Sequence, residues 1–199
     1  VAERVLIQLG QVPAYSFEEL FQGMRSIPLE QWIGKDDAFP VKGHALDSKL
    51  HSVPDCQSIL KKAAVERLKS VYHTSWFTES GAIHPLHFTI RKNIATIYLD
   101  TSGAGLHKRG YRAIGNDAPL RETLAAAMVE LARYRGHDVF LDPFCGSGTI
   151  CIEAALTALN RAPGMSRNFA AQKWACVPQT LWQQARAEAL DREFHGEYH

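Results

Sequence analysis

Long apolar runs are missing from this sequence. Nothing approaches the roughly 20 consecutive residues of a membrane span, and the opening residues lack the charged-then-apolar form of a signal peptide. A cytoplasmic protein with no membrane partner is expected. Cysteine is sparse: Cys56, Cys145, Cys151 and Cys176 form no C-x-x-C pair and have no histidine at finger spacing. Neither a zinc site nor a disulfide framework is indicated, and the four read as reduced thiols. His44, His51, His73, His84, His87 and His107 never pair at i, i+4 on a helical pattern, so no metal is expected. A large excess of one charge is also missing, with 22 Lys and Arg against 21 Asp and Glu. The balance is uneven along the chain, 14 basic against 11 acidic residues up to Arg112 and 8 against 10 beyond it. A mildly basic first part leaves room for an anionic partner without demanding one.

What the sequence does have is a stretch around which the second half is organised. Val139-Phe140-Leu141-Asp142 reads as a strand ending in an acid, and Pro143-Phe144-Cys145-Gly146-Ser147-Gly148-Thr149 as a tight loop opening a helix. Gly146 and Gly148 allow positive φ and close approach of a ligand, while a helix start offers unpaired N–H groups to a carboxylate or phosphate. Asp142 falls at the strand's carboxyl end, where open α/β sheets bind ligands. Two familiar sites are excluded: no lysine follows Gly148 as a Walker loop requires, and position 151 is Cys where a dinucleotide fingerprint needs a third glycine. A shorter loop remains, with an acid to meet an ammonium group and N–H groups to meet a carboxylate. That combination suits an amino-acid-bearing nucleoside such as S-adenosylmethionine. A bare glycine turn packing helix on strand is the alternative, and the flanking Asp142-Pro143-Phe144 argues against it.

Elsewhere helices and strands mix, an α/β pattern. After a strand-like opening run, Gly10 and Pro13 read as a turn, and Ser16 with Glu19 as a capping box for a short helix carrying Phe17, Leu20 and Phe21 inward. Trp32-Ile33 and residues 39–45 read as extended. A helix from Pro54 or Asp55 to about Tyr72 places Ile59, Leu60, Ala63, Ala64, Arg67 and Leu68 on one face and Lys61, Lys62, Glu66 and Lys69 on the other. Its lysines are candidates for nucleic-acid phosphate, against the plainer reading of a solvated face. Residues 83–90 and 94–100 alternate as two strands of a hairpin across Arg91-Lys92-Asn93. Ser102 to Arg112 is a glycine-rich junction whose Lys108, Arg109 and Arg112 are candidates for phosphate and Tyr111 for base stacking. Asn116-Asp117 should cap a helix with Pro119 in its first turn, Leu120, Leu124, Ala127, Met128 and Leu131 buried, and Gly136 as its stop. Residues 150–159 and 181–194 read as further helices.

The loop Leu141-Asp142-Pro143-Phe144-Cys145-Gly146-Ser147-Gly148-Thr149-Ile150 resembles the cofactor loop of Rossmann-like methyltransferases that modify exocyclic amines. The junction from Asp100 to Arg112, with Ala118-Pro119-Leu120-Arg121-Glu122-Thr123-Leu124-Ala125 after it, resembles the THUMP-bearing bacterial RNA methyltransferases. Those enzymes methylate N2 of guanine in 23S ribosomal RNA and are often labelled N6-adenine-specific DNA methylases. The resemblance implies an α+β THUMP domain followed by the start of a Rossmann-like domain that uses S-adenosylmethionine. Residues 1–10 would end a ferredoxin-like piece, 11–101 form the THUMP domain, 102–116 the linker and 117–199 the front of the methyltransferase domain. Pro40-Val41-Lys42-Gly43 and residues 48–57 fit the THUMP pattern, whereas Ala45 and Asp47 depart from it. Asp142 would take the methionine ammonium, the backbone from Phe144 to Gly148 the methionine moiety and Thr149 the carboxylate end, with Ala118 and Pro119 walling the pocket. Structured RNA, 23S rRNA above all, is the implied partner. The family's Asn-Pro-Pro-Tyr-like or Asp-Pro-Pro-Tyr-like tetrapeptide is not in the sequence, so no catalytic residue is assigned and the chain is expected to be an inactive fragment. An RNA-binding module without activity, and an N6-adenine DNA methylase, are the alternatives.

Overall fold

A computed structural model describes residues 1–112 and 120–196, which divide into two compact units. One comprises Val5–Gly103 together with Phe169–Val177; the other comprises Val1–Arg4, Ala104–Asn168 and Pro178–His199.

The first unit is a four-stranded sheet in the order β1-β4-β3-β2, built from β1 (Leu6–Pro13), β2 (Val41–Leu46), β3 (Leu86–Arg91) and β4 (Ile94–Asp100). β1 and β3 flank β4 antiparallel, and β2 runs parallel to β3. The alternation of the hairpin has its expected result: Leu86, Phe88 and Ile90 pair with Leu99, Ile97 and Ala95, and all six are buried. Lys92 (φ 51°) and Asn93 (φ 61°) make the turn between them, the left-handed pair that matches strand twist. Helices α1 (Phe17–Ser26) and α2 (Val53–Tyr72) pack on each other. The Ser16 hydroxyl caps α1 by accepting from Glu19 N–H (3.2 Å), while the Glu19 carboxylate reaches back to Tyr15 N–H (2.9 Å). Leu20 and Met24 are the buried residues of α1, and Cys56, Leu60, Ala63, Ala64 and Leu68 those of α2.

Two expectations fail here. Gly10 and Pro13 lie inside β1, because the chain absorbs the glycine as a bulge between Gln8 and Gly10 instead of turning. Trp32-Ile33 closes a 3-10 turn over Leu29–Gln31 and is not extended. The unit also takes in a segment from far along the chain. Phe169–Val177 forms a 3-10 turn over Ala170–Lys173, and Trp174, 2% exposed, stacks on the His84 ring at 4.8 Å and donates its indole N–H to the Ile83 carbonyl (3.0 Å).

In the second unit the described elements are α3 (Glu122–Leu131), α4 (Thr149–Ala158) and α5 (Gln179–Asp191). α3 packs on α4, and Gly136 (φ 83°) passes so close to Ala158 that a Cβ there would lie 3.0 Å from its Cα. The face of α3 is not the expected one. Glu122, Thr123, Ala125 and Val129 are buried, whereas Leu124 (52% exposed), Met128 (44%) and Leu131 (82%) face outward. Both faces carry apolar side chains, and the smaller Ala125 and Val129 let α4 approach. The expected cap at Asn116-Asp117 and Pro119 lie outside the described residues. No strand forms over residues 139–142; Val139 and Leu141 are each 82% exposed. A strand exists by pairing its backbone, and no partner stands beside this segment among the described residues.

Candidate cofactor loop and its surroundings

The glycine loop folds through its own hydrogen bonds. Phe144 N–H donates to Asp142 Oδ1 (3.1 Å) and Gly148 N–H to the Cys145 carbonyl (2.8 Å), closing two turns in succession. Asp142 spends one carboxylate oxygen, Oδ1, on this turn. Gly146 (φ 53°) and Gly148 (φ 72°) both take left-handed backbone, and nothing stands within 4 Å of a Cβ placed on Gly148. That conformation costs a residue with a Cβ about 1–2 kcal/mol, so the glycines are needed for backbone shape. Gly148 is the N-cap of α4, whose first-turn N–H groups follow directly. Thr149 is 3% exposed and its Oγ1 lies 3.1 Å from Ser147 Oγ, joining the loop to the helix. Pro143, Phe144, Cys145, Gly146 and Ser147 are exposed. Asp142 through Thr149 thus come together in one loop. Ala118 and Pro119 lie outside the described residues. Burial, then Asp142 and then Cys145 push the Cys151 thiol up, keeping it protonated one turn into α4.

The junction behaves differently from expectation. Arg109 is 6% exposed, pairs Nε and Nη2 with the Glu153 carboxylate (3.4 Å each) and donates Nη1 to the Leu106 carbonyl (3.0 Å). Tyr111 donates its hydroxyl to Glu153 Oε1 (3.0 Å); burial, then Glu153, raise its pKa. Arg112 reaches Glu122 (3.1 Å), the Leu120 carbonyl (3.3 Å) and Thr149 Oγ1 (3.0 Å). These three side chains all have partners inside their own unit; Lys108 alone of the four is exposed. A buried arginine needs an acid, and Glu153, the lone acid of an alanine-rich helix, is the signal for it in the sequence. Arg167 gives no such signal: it caps the carbonyls of Ala104, Gly105 (2.7 Å) and Lys108 (3.2 Å).

On the first unit Lys61 is likewise occupied. Its Nζ donates to the Phe39 carbonyl (3.1 Å), pairs with Glu79 (2.9 Å) and sits 3.6 Å above the Phe39 ring. Lys62 is exposed, 5.9 Å over the Phe21 ring. Together with Lys42, Gln57 and Ser58 these lysines line a groove of about 570 Å³ beside β2 and α2.

Among the described residues no group of His, Cys, Asp and Glu is placed to hold a metal, and no helix is long and apolar enough to cross a membrane. The THUMP domain family matches residues 14–100, and the RMKL-like methyltransferase domain family matches residues 109–196. In succession these are a THUMP domain and a methyltransferase domain. Bacillus subtilis YpsC, assigned as an RNA methyltransferase, is 45% identical over 96% of the chain and 50% of its own length. Ribosomal RNA large subunit methyltransferase K/L of Psychromonas ingrahamii is 37% identical over 94% of the chain and 25% of its length. Among solved structures, a predicted N6-adenine-specific DNA methylase from Listeria monocytogenes superposes with a TM-score of 0.92 at 46% identity, covering 96% of this chain and 50% of that one. The assigned methyltransferase SMU.472, complexed with SAH, gives a TM-score of 0.90 at 39% identity, covering 97% and 52%. The chain therefore spans half or less of the curated relatives, and the α/β fold class expected from the sequence is the one these relatives share.

Proposed function

We propose that the protein carrying this chain transfers a methyl group from S-adenosylmethionine to N2 of a guanine in ribosomal RNA, with the THUMP domain holding the RNA. The observation that carries the reading is the open left-handed turn of Gly146 and Gly148 between Asp142 and the start of α4. It fits the amino-acid end of the cofactor: the remaining Asp142 oxygen would meet the ammonium group, the loop backbone would lie along the methionine chain, and the first turn of α4 would face the carboxylate. When bound, S-adenosylmethionine supplies a methyl group on a sulfonium that is already a good leaving group. These residues bind and orient, and positioning is the larger part of what such a transfer needs. No side chain among the described residues is assigned to the target amine.

RNA as the substrate class is supported by the THUMP domain and by the names of YpsC and the K/L enzyme. The lysine-lined groove beside β2 and α2 offers the phosphate-binding charge, with Lys62 and Lys108 as the exposed members of the candidate residues. The name given to the Listeria protein favours a second reading, N6 methylation of adenine in DNA. Tritium transfer from labelled S-adenosylmethionine by the full-length protein to 23S rRNA and to plasmid DNA decides between them. Label in rRNA, at N2-methylguanine after nucleoside digestion and lost in Asp142→Ala, is expected; label in DNA alone overturns the proposal.

A further inference from the structure

The guanidinium of Arg112 ties the two ends of the second unit's helix pair together. It pairs with Glu122 Oε1 (3.1 Å) and donates to the Leu120 carbonyl (3.3 Å) at the start of α3, and it donates to Thr149 Oγ1 (3.0 Å) at the start of α4. Thr149 is 3% exposed, and its hydroxyl meets Ser147 Oγ at 3.1 Å inside the glycine loop. A chain of contacts thus runs from α3 through one planar fork to the residue between the two left-handed glycines.

The fork is held there at a cost. Arg112 Nη1 is buried and has no hydrogen-bond partner among the described residues. An arginine kept only for solubility would turn that nitrogen to water, since a buried donor without an acceptor is penalised by about 1–3 kcal/mol. Three contacts lock this side chain in place, and the local fold supplies no acceptor for the fourth edge. The loop it braces, in contrast, has no other side-chain tie to α3 among the described residues.

Resting on the cofactor reading above, we infer that Arg112 is a positioning residue of the methyl donor site. Acting through Thr149, it fixes the Ser147-Gly148-Thr149 turn in the shape that receives the amino-acid end of the ligand. Lysine keeps the charge at this position but cannot reproduce the fork, so the effect belongs to geometry and not to charge alone.

The test is calorimetric, on the full-length protein, with two probes. S-adenosylhomocysteine carries the amino-acid end; 5′-methylthioadenosine carries the nucleoside without it. Arg112→Lys and Thr149→Val are each expected to weaken S-adenosylhomocysteine about tenfold, the loss of one hydrogen bond to a charged group, and to leave 5′-methylthioadenosine within about twofold. The double variant should be little worse than either single one, because both remove the same tie, and Thr149→Ser should restore binding. Unchanged affinity for S-adenosylhomocysteine in both variants, or equal loss of both probes together with a lowered melting temperature, overturns the inference while leaving the cofactor reading in place. A wild-type protein that binds neither probe ends the cofactor reading and the inference with it.

Discussion

Gly148 combines a φ of 72° with empty space where a Cβ would go, and the two properties make separate demands. The backbone angle costs alanine about 1–2 kcal/mol, whereas the space costs the protein nothing until a ligand fills it. Gly148→Ala is therefore expected to lower stability by about 1 kcal/mol in urea unfolding and to weaken S-adenosylhomocysteine about tenfold in calorimetry. A loss of stability without a loss of affinity would place the ligand elsewhere. This loop is legible in the sequence because its information is local: an acid, two glycines one residue apart and a helix start need no distant partner to be recognised. Arg109, Tyr111 and Arg112 are less so, for the opposite reason. Whether a cation meets phosphate or a buried acid depends on where Glu153 and Glu122 end up, and 44 residues separate Arg109 from Glu153. Lys61 carries the same lesson, its charge absorbed by Glu79 and the Phe39 ring.

Elements are legible where their own periodicity decides the outcome. The β3–β4 hairpin alternates, turns at Lys92-Asn93 and pairs in the register its apolar residues require; α2 buries the stripe that its 3.6-residue spacing marks out. Residues 139–142 and α3 need information from outside themselves. A lone apolar run has no strand without neighbours, and a helix apolar on two faces does not say which face its partner takes. A glycine inside an element can be read from packing alone, as at Gly43, which pairs with Phe88 in the β2–β3 ladder. A Cβ there would collide with the Phe88 carbonyl oxygen and run into its ring, so β2 would have to pull away from β3. Gly43→Ala is expected to cost about 2 kcal/mol, within the range for overpacking. Gly10→Ala serves as the control, since its Cβ meets only the Ile27 side chain at 3.4 Å; it should be close to neutral. Equal effects of the two in urea unfolding would show that loss of glycine, and not the Phe88 contact, sets the cost.

At the scale of the molecule, the chain passes between its two units four times, at Arg4–Val5, Gly103–Ala104, Asn168–Phe169 and Val177–Pro178. Each unit gathers its own ends. In the first, Val5 N–H donates to Ser102 Oγ (2.8 Å), Thr101 N–H to the Val5 carbonyl (3.1 Å) and Ala171 N–H to the Thr101 carbonyl (3.2 Å). In the second, Leu106 N–H donates to the Glu3 carbonyl (2.9 Å) and Arg167 Nη1 to that of Gly105 (2.7 Å). The THUMP unit is consequently completed by Phe169–Val177, within the residues matched by the methyltransferase family, and its closing contact is Trp174 stacked on His84. His84 is 0% exposed and lies 2.9 Å from Asp37 Oδ2, an oxygen that also accepts Gly34 N–H (2.8 Å). Burial pulls the imidazole below its ordinary value, against the pull of Asp37. The folded unit therefore keeps His84 neutral in a range where the unfolded chain has already protonated it. Stability from this residue is full above the ordinary histidine pKa of about 6.5 and falls with pH from there down to the depressed folded value. Amide exchange at β3 and β4 of the THUMP unit should accordingly quicken, relative to the intrinsic rate at each pH, as the pH falls below about 6.5. His84→Phe, which keeps a ring against Trp174 and removes the titration, should flatten that dependence. The same slope in wild type and His84→Phe would assign the pH response to other groups and leave the stacked pair as packing alone.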